Sequence, residues 1–475
     1  MKKIYPIITI IILIAVIACL CFFKGTTGSG SISNNVSAGE SAATTTTTVS
    51  AGEKIFNLSE LFTDRDLAQS ADTSNATKYE AKSGENITIN SDGVYVISGE
   101  AQNVTIYVEA ADDAKVQLVL DNLKITNETM PCIYVKTADK VFVTLEGESS
   151  LEVTNDFAQD GENNLTGVIF SKEDITLNGS GSLNIKSTYN GIVGKDDLKI
   201  TGGTYNIEAT KNAIKANDSI RIKDGTLNLK SGTDGLHSEN DDDSAKGYIY
   251  IGGGTLNIEA EDDAIHAQTV IEVDDGKLTI KAYEGIEATY IQINEGDITI
   301  DASDDGINAG AKSEAFDVVV EINGGTLNIT MGPGDTDAID ANGSIYVIGG
   351  EITITAQSAF DFDGKASHTG GTITVNGEQI DEITTQMMGG PGGGRKMQQG
   401  MSGDMPEGMP ENMPEDMQNV RPEDMPEGMQ MEKPEEMTEE MKEKMKENRP
   451  ERPEGGMKGN RQKMMQEEVQ NTDES

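Results

Sequence analysis

The residues best able to do chemistry are polar side chains recurring at one place in a repeating pattern. Asn190, Asn212, Asp234, Asp263, Glu284, Asp305, Asp337 and Ser358 are each followed by Gly or Ala, then by Ile, Leu or Phe. The next position holds Lys215, His237, His266, Glu287, Asn308, Asp340 and Asp361 in successive repeats. Equivalent residues of stacked strands lie about 5 Å apart. Two carboxylates at that distance repel by roughly 3 kcal/mol at an effective dielectric near 20. A hard cation would remove that repulsion, and calcium accepts 6 to 8 oxygen ligands in flexible geometry. The expected calcium ligands are Asp262, Asp263, Glu284, Glu287, Asp304, Asp305, Asp335, Asp337 and Asp340, with a second group at Asp241 and Asp243. The alternative is a solvated acidic edge whose carboxylates simply bind protons more tightly.

His237 and His266 share a position in adjacent repeats and should meet. Without Cys or a third His they read as a polar contact on this edge, because zinc sites ordinarily gather three or four such ligands. Tyr189 and Tyr283 each precede the first polar row and could stack on sugar rings. Lys195, Lys215 and Arg221 form a candidate basic patch for a ligand. No catalytic residue is assigned.

The elements that position these rows are announced by glycines at 181, 203, 225, 254, 276, 296, 325, 350 and 371. Their spacing clusters near about 22 residues, within the range of solenoid repeats. Within each repeat the alternation of Leu256 with Ile258, or Ile298 with Ile300, is the period-two mark of a strand with one buried face. Units this short cannot bury an apolar face alone, but stacked units share one core. The expected fold is all-β, a right-handed parallel β-helix of about 22-residue coils spanning residues 55–385. Leucine-rich repeats are set aside because their Leu framework is missing. Residues Ile55 to Leu67 read as a short amphipathic helix capping the first coil, with Asp64 and Asp66 on its polar side.

The ends differ in composition. Residues 1–24 have a basic start and an apolar run from Ile7 to Phe23, the signature of export. Cys19 closes a loose lipobox and is a lipidation candidate; an uncleaved membrane helix is the alternative. Residues 25–54 are Gly-, Ser- and Thr-rich and read as a flexible linker. Most of the 20 methionines fall in residues 386–475. Pro-Glu punctuation there forbids a continuous helix, so that segment reads as a disordered tail. Only Cys132 lies beyond the leader, which rules out a disulfide within the folded domain. A formal charge of −44 argues against nucleic acid as a partner.

The segments NGSGSLNI (178–185), GIVGKDDLKITGGT (191–204), NDDDSAKGYIYIGGGTLNI (240–258), TDAIDANGSIYVIGG (336–350) and AFDFDG (359–364) resemble bacterial carbohydrate-binding-domain proteins with a polysaccharide-lyase-like β-helix. VQLVLDNLKITN (116–127) and IYVKTADKVFVTLEG (133–147) are similar to the same family, over roughly Ile87 to Ile380. The resemblance implies a right-handed β-helix, bound calcium and attachment to plant or microbial cell-wall polysaccharide outside the cell. A lyase would need a base, commonly Arg, to abstract the proton beside a uronate carboxylate. Arg221 is the only Arg between Ile87 and Ile380. The expectation is therefore a calcium-containing, membrane-tethered polysaccharide binder that does not cleave; a calcium-dependent lyase and a structural or adhesive surface protein are the alternatives. Oligomeric state is not legible.

Overall fold

Apolar alternation becomes sheet throughout. The computed structural model describes residues 49–161, 163–334 and 336–385. The chain there is all-β with strands almost wholly parallel, and the single helix among the described residues is Leu58–Leu61. The strands form a 22-stranded sheet, a 12-stranded sheet and one small antiparallel pair.

Most repeats contribute three strands, the second and third running together in Tyr248–Ala260 and Val270–Ala282, and each segment pairs in parallel with its counterpart one repeat on. Asn190–Gly194, Asp197–Ile200 and Thr204–Ala209 are followed by Ile214–Ala216, Ser219–Ile222 and Thr226–Ser231. The first of each set joins the 12-stranded sheet, here called the edge column. The other two form two columns of the larger sheet, the middle and outer columns. Ile192, Ile214, Leu236, Ile265, Ile286 and Ile307 stack inside the edge column, completely buried. Leu183, Tyr205, Leu227, Leu256 and Leu278 do the same in the outer column. The opening glycines make the turn between the middle and outer columns. Gly203 and Gly225, for example, have φ of 93° and 131°, a region that side chains with a Cβ rarely enter.

The expected cap helix over Ile55 to Leu67 is corrected by the structure. Only Leu58–Leu61 is helical, and the segment runs along the outside of the middle column rather than over an end of the stack. Its polarity holds only in part: Leu61 and Phe62 are buried and Asp64 is exposed as expected, but Leu58 and Leu67 are exposed and Asp66 is fully buried. The reason lies in the partners. The outward row of the middle column reads Thr176, Lys199, Arg221, Tyr250, Glu272, Gln292, Glu321, and buried polar groups must find hydrogen bonds. The backbone of this segment, residues 49–69 and here called the strap, supplies them. Gly52 N–H donates to Glu321, Ile55 and Phe56 N–H donate to Glu272, and Gln292 donates to the Glu53 carbonyl. Further along, Arg221 donates to the Leu61 carbonyl, and Asp66 meets Lys140 at 2.7 Å, Lys199 at 3.6 Å and the Thr176 hydroxyl at 2.8 Å. Phe56 stacks on Tyr248 with ring centroids 4.6 Å apart.

Candidate functional site: the polar edge

The two polar rows read from the sequence lie on the edge column and do different work. The first row is partly structural: one side-chain oxygen accepts the backbone N–H of the same row in the next repeat. Asn190 takes the N–H of Asn212 at 3.0 Å, Asn212 that of Asp234 at 3.1 Å, Asp234 that of Asp263 at 3.2 Å, and Asp305 that of Asp337 at 3.1 Å. This ladder explains Asn and Asp at the position, and the repeat spacing with short acceptor side chains was its signal in the sequence. The small residue that follows is required by close packing. A Cβ on Gly285 would stand 2.2 Å from the Gly306 carbonyl, and one on Gly191 2.5 Å from that of Ala213.

The second row points outward in unbroken register: Lys215, His237, His266, Glu287, Asn308, Asp340, Asp361. It changes from basic to acidic along the stack. The two imidazoles lie face to face as expected, with centroids 4.8 Å apart and planes 10° apart. Each ring is held by the acid three residues before it: His237 Nδ1 lies 2.6 Å from Asp234 and His266 Nδ1 2.7 Å from Asp263. Glu287 stands 2.8 Å from the same His266 nitrogen, and Lys312 is 2.7 Å from Glu287.

Asp263, His266 and Glu287 bring their donor atoms within 4.8 Å of one another, a grouping of metal-ligating types. Its charge is already balanced. Burial works against the His266 cation, yet hydrogen bonds and charges from Asp263 and Glu287 outweigh it and push the imidazole up to about 10. Burial likewise opposes the Glu287 anion, but His266 and Lys312 hold it down to about 2. Burial and then the nearby Glu287 charge raise Asp263. Lys312 is the partner the sequence reading missed; it lies in a loop after the next edge strand, and no repeat spacing marks it.

The acidic end differs. Burial, then the charges of Asp340, Glu284 and Asp304, push Asp305 up to about 7. Burial, then Asp337, Asp361 and Asp363, push Asp340 up to about 6. Burial raises Glu284 too, although Asn308 donates to it at 3.0 Å. Asp262 lies on the exposed side of the same turn as Asp263. Asp335 and Cys19 fall outside the described residues, as do the leader, most of the linker and the tail. Asp241 and Asp243 sit exposed on a separate turn organised by Asn240, whose side chain accepts the N–H groups of Asp242 and Asp243 and donates to Asp218.

The candidate sugar contacts are split. Tyr189 and Tyr283 are 43% and 37% exposed, enough to offer a ring face. Tyr189 borders a cleft of about 320 Å³ shared with Asp156, Phe157, Gln159 and Thr188. Lys195 and Lys215 stand close enough to feel each other's charge. Arg221 does not join them. It belongs to the middle column, 2.6 Å from Asp197, bonded to the Leu61 carbonyl and packed 5.3 Å from the Tyr248 ring under the strap.

A relative from Acetivibrio thermocellus, described as a carbohydrate-binding domain-containing protein, is 34% identical over 122 residues, 25% of this chain and 43% of the relative. The match therefore spans less than half of that relative's length. A solved structure titled as the polysaccharide lyase-like protein from C. thermocellum, gadolinium derivative, is 24% identical, with a TM-score of 0.36, covering 63% of this chain and 94% of that one. A family profile described as carbohydrate-binding domain-containing protein matches residues 83–336 and 284–388, which together exceed half the chain. This profile match places the chain in the carbohydrate-binding domain-containing protein family.

Proposed function

We propose that the protein is a calcium-containing polysaccharide-binding protein of the cell surface that holds its glycan without cleaving it. The supporting observation is the exposed ring of Tyr189 beside a cleft whose other walls carry Asp156, Gln159 and Thr188, side chains suited to sugar hydroxyls. The chain path that best accounts for the parallel pairing of each strand with its counterpart one repeat on is the right-handed parallel β-helix. Tethering outside the cell rests on the basic start and apolar run of residues 1–24, with Cys19 as the lipid acceptor or the run itself as anchor.

Calcium fits the acidic end by its chemistry. Asp304, Asp305, Asp337 and Asp340, with Glu284, offer hard oxygens, and Asp305 and Asp340 are held above the usual carboxylate range by burial and by one another. A divalent ion there would do for Asp305 and Asp340 what His266 and Lys312 do for Asp263 and Glu287 further along the row. Calcium should raise the unfolding temperature, because a ligand that favours the folded state stabilises it by mass action. Asp305→Asn with Asp340→Asn should abolish most of that rise; an unchanged response would remove the metal from this end.

Arg221 argues for binding over cleavage. A proton-abstracting Arg must reach the substrate, and this one is committed to Asp197 and the strap. The test is retention of soluble neutral and uronate oligosaccharides by the full chain, with Tyr189→Ala as the control and ultraviolet absorbance of unsaturated product as the readout for lysis. Retention that Tyr189→Ala reduces about tenfold, with no product, is expected. Product formation would make the protein a lyase, and retention indifferent to Tyr189→Ala would move the site elsewhere.

A further inference from the structure

The outer column carries a face that neither the edge nor the strap uses. Its outward residues come in three parallel rows. The central row begins Asn184, Asn206, Asn228, Asn257 and continues with Thr279 and Thr299. The amides are chained: Asn206 donates to Asn184 at 2.9 Å, Asn228 to Asn206 at 2.7 Å and Asn257 to Asn228 at 2.8 Å. A primary amide has two donors and two acceptor lone pairs. An amide within the chain spends one of each along the row, so one N–H and one lone pair per repeat face outward. They recur at about the 4.8 Å strand spacing.

The flanking row reads Lys186, Glu208, Lys230, Glu259, Lys281, Asp301, all exposed. Signs alternate at every step, so charge cancels locally, on a protein whose formal net charge is −44. The other flank begins with the hydroxyls of Ser182, Thr204, Thr226 and Thr255 and continues with Lys277 and Asp297, an oppositely charged pair 3.6 Å apart. A shallow depression of about 340 Å³ runs across the middle, lined by Asn228, Lys230, Asn257, Glu259, Thr279 and Lys281. No described strap residue hydrogen-bonds to this face, and these three rows hold no aromatic ring.

From this we infer that the outer face is a second glycan-binding surface, whose occupant is the surface of an ordered, insoluble, neutral polysaccharide. The inference rests on the polysaccharide reading above and adds where and in what physical form the polymer binds. Charge selects against anionic polymers, which the rest of the molecule repels. Amides with one donor and one acceptor free match hydroxyls, which also donate and accept. Without an aromatic platform each contact is weak, so useful affinity needs many of them made together. A polymer surface presents its hydroxyls in a fixed lattice and supplies that multiplicity, whereas a single soluble chain must be ordered first.

The experiment is co-sedimentation of the full chain with microcrystalline cellulose as the probe, alongside retention of soluble cellohexaose. The variants are Asn206→Asp/Asn228→Asp/Asn257→Asp, which keeps shape while adding charge, and Lys230→Glu/Lys281→Glu, which breaks the sign alternation at exposed positions. Far-ultraviolet circular dichroism checks folding. Both variants should lose at least tenfold in affinity for the particles while keeping cellohexaose retention; Tyr189→Ala should show the reverse. Wild-type retention of cellohexaose without sedimentation would overturn the face and leave the edge reading standing. Failure of wild type to bind either probe would overturn both. Should the Asn variant misfold, the Lys variant decides alone, and its unchanged sedimentation would overturn the proposal. A concentration-dependent dimer dissolved by the same substitutions would assign the face to a second copy of the chain and overturn it too.

Discussion

The middle and outer columns are built from the same repeats in the same sheet, yet one outward face is sealed and the other open. In the middle column, Lys199, Glu272, Gln292 and Glu321 are almost fully buried beneath the strap. In the outer column, Asn206, Asn257, Glu259 and Lys281 are exposed. The difference follows from how each row satisfies its polar groups. The open row bonds to itself from repeat to repeat and meets water with what remains. The sealed row mixes lengths and charges and pairs along the stack only in part, as where Gln292 donates to Glu321 at 3.1 Å, so it relies on backbone and on the Asp66 carboxylate of residues 49–69. A seal of that kind is expensive to break, because removing one partner leaves others buried and unmatched.

The largest effect should therefore come from Asp66, which is fully buried between Lys140 and Lys199. Asp66→Ala leaves two largely buried ammonium groups without their carboxylate and should cost about 3–5 kcal/mol, the range for breaking a buried ion pair from one side. Thermal or denaturant unfolding would show it, and a loss below about 1 kcal/mol would mean the strap is only loosely laid on the sheet.

The same group sets an acid limit. Burial opposes its charge, but the Lys140 hydrogen bond, the Thr63 N–H and the charges of Lys140 and Lys199 hold the carboxyl well below the usual range. Its stabilisation is complete above the unfolded value near pH about 4 and disappears as pH falls toward the native value. Wild type should lose stability between roughly pH 4 and 2, and Asp66→Ala should lose less over that interval. Equal acid sensitivity of the two proteins would show that other carboxylates control the limit.

A smaller effect is expected from Phe56→Ala. This ring stacks on Tyr248 and meets Tyr250 edge-on at 6.2 Å. Aromatic pairs contribute about 0.5–1.5 kcal/mol beyond their burial, so the loss should be on the order of 1–3 kcal/mol once the area is included. Proteolysis confined to residues 49–62 in the variant would locate the damage at the strap; cleavage spread through the repeats would not.

What the sequence disclosed divides along the same line. The edge rows were legible because a period near 22 residues puts equivalent side chains in register, and the pairing of His237 with His266 and of Asp263 with Glu284 follows from counting. The strap was not legible. Its spacing of Phe56, Leu58, Leu61, Phe62 and Leu67 suits an amphipathic helix, and what overrides it is a set of hydrogen-bond acceptors some 50 to 270 residues away, such as Glu321 for Gly52. No local pattern encodes that demand. Arg221 was misplaced for the same reason: its alternation with Ile220 and Ile222 correctly directed it outward, but not what would cover it there. Lys312 escaped because it sits in an insertion between repeats, where periodicity carries no information.

The smallest effect on stability should come from the open face, and it tests the comparison most sharply. Asn228→Ala removes one rung of the amide chain, losing the bonds to Asn206 and Asn257. On an exposed surface water replaces both partners, so the change should fall within about 0.5 kcal/mol. That would mean the chain of amides is kept for something other than holding the repeats together, since the core beneath it, Leu227 and Leu229, is untouched. A loss above about 1.5 kcal/mol would instead make the row a structural spine, equivalent to the Asn and Asp ladder of the edge. In that case the outer face would differ from the sealed one only in being exposed, and the contrast between a face closed for stability and a face left open for binding would fail.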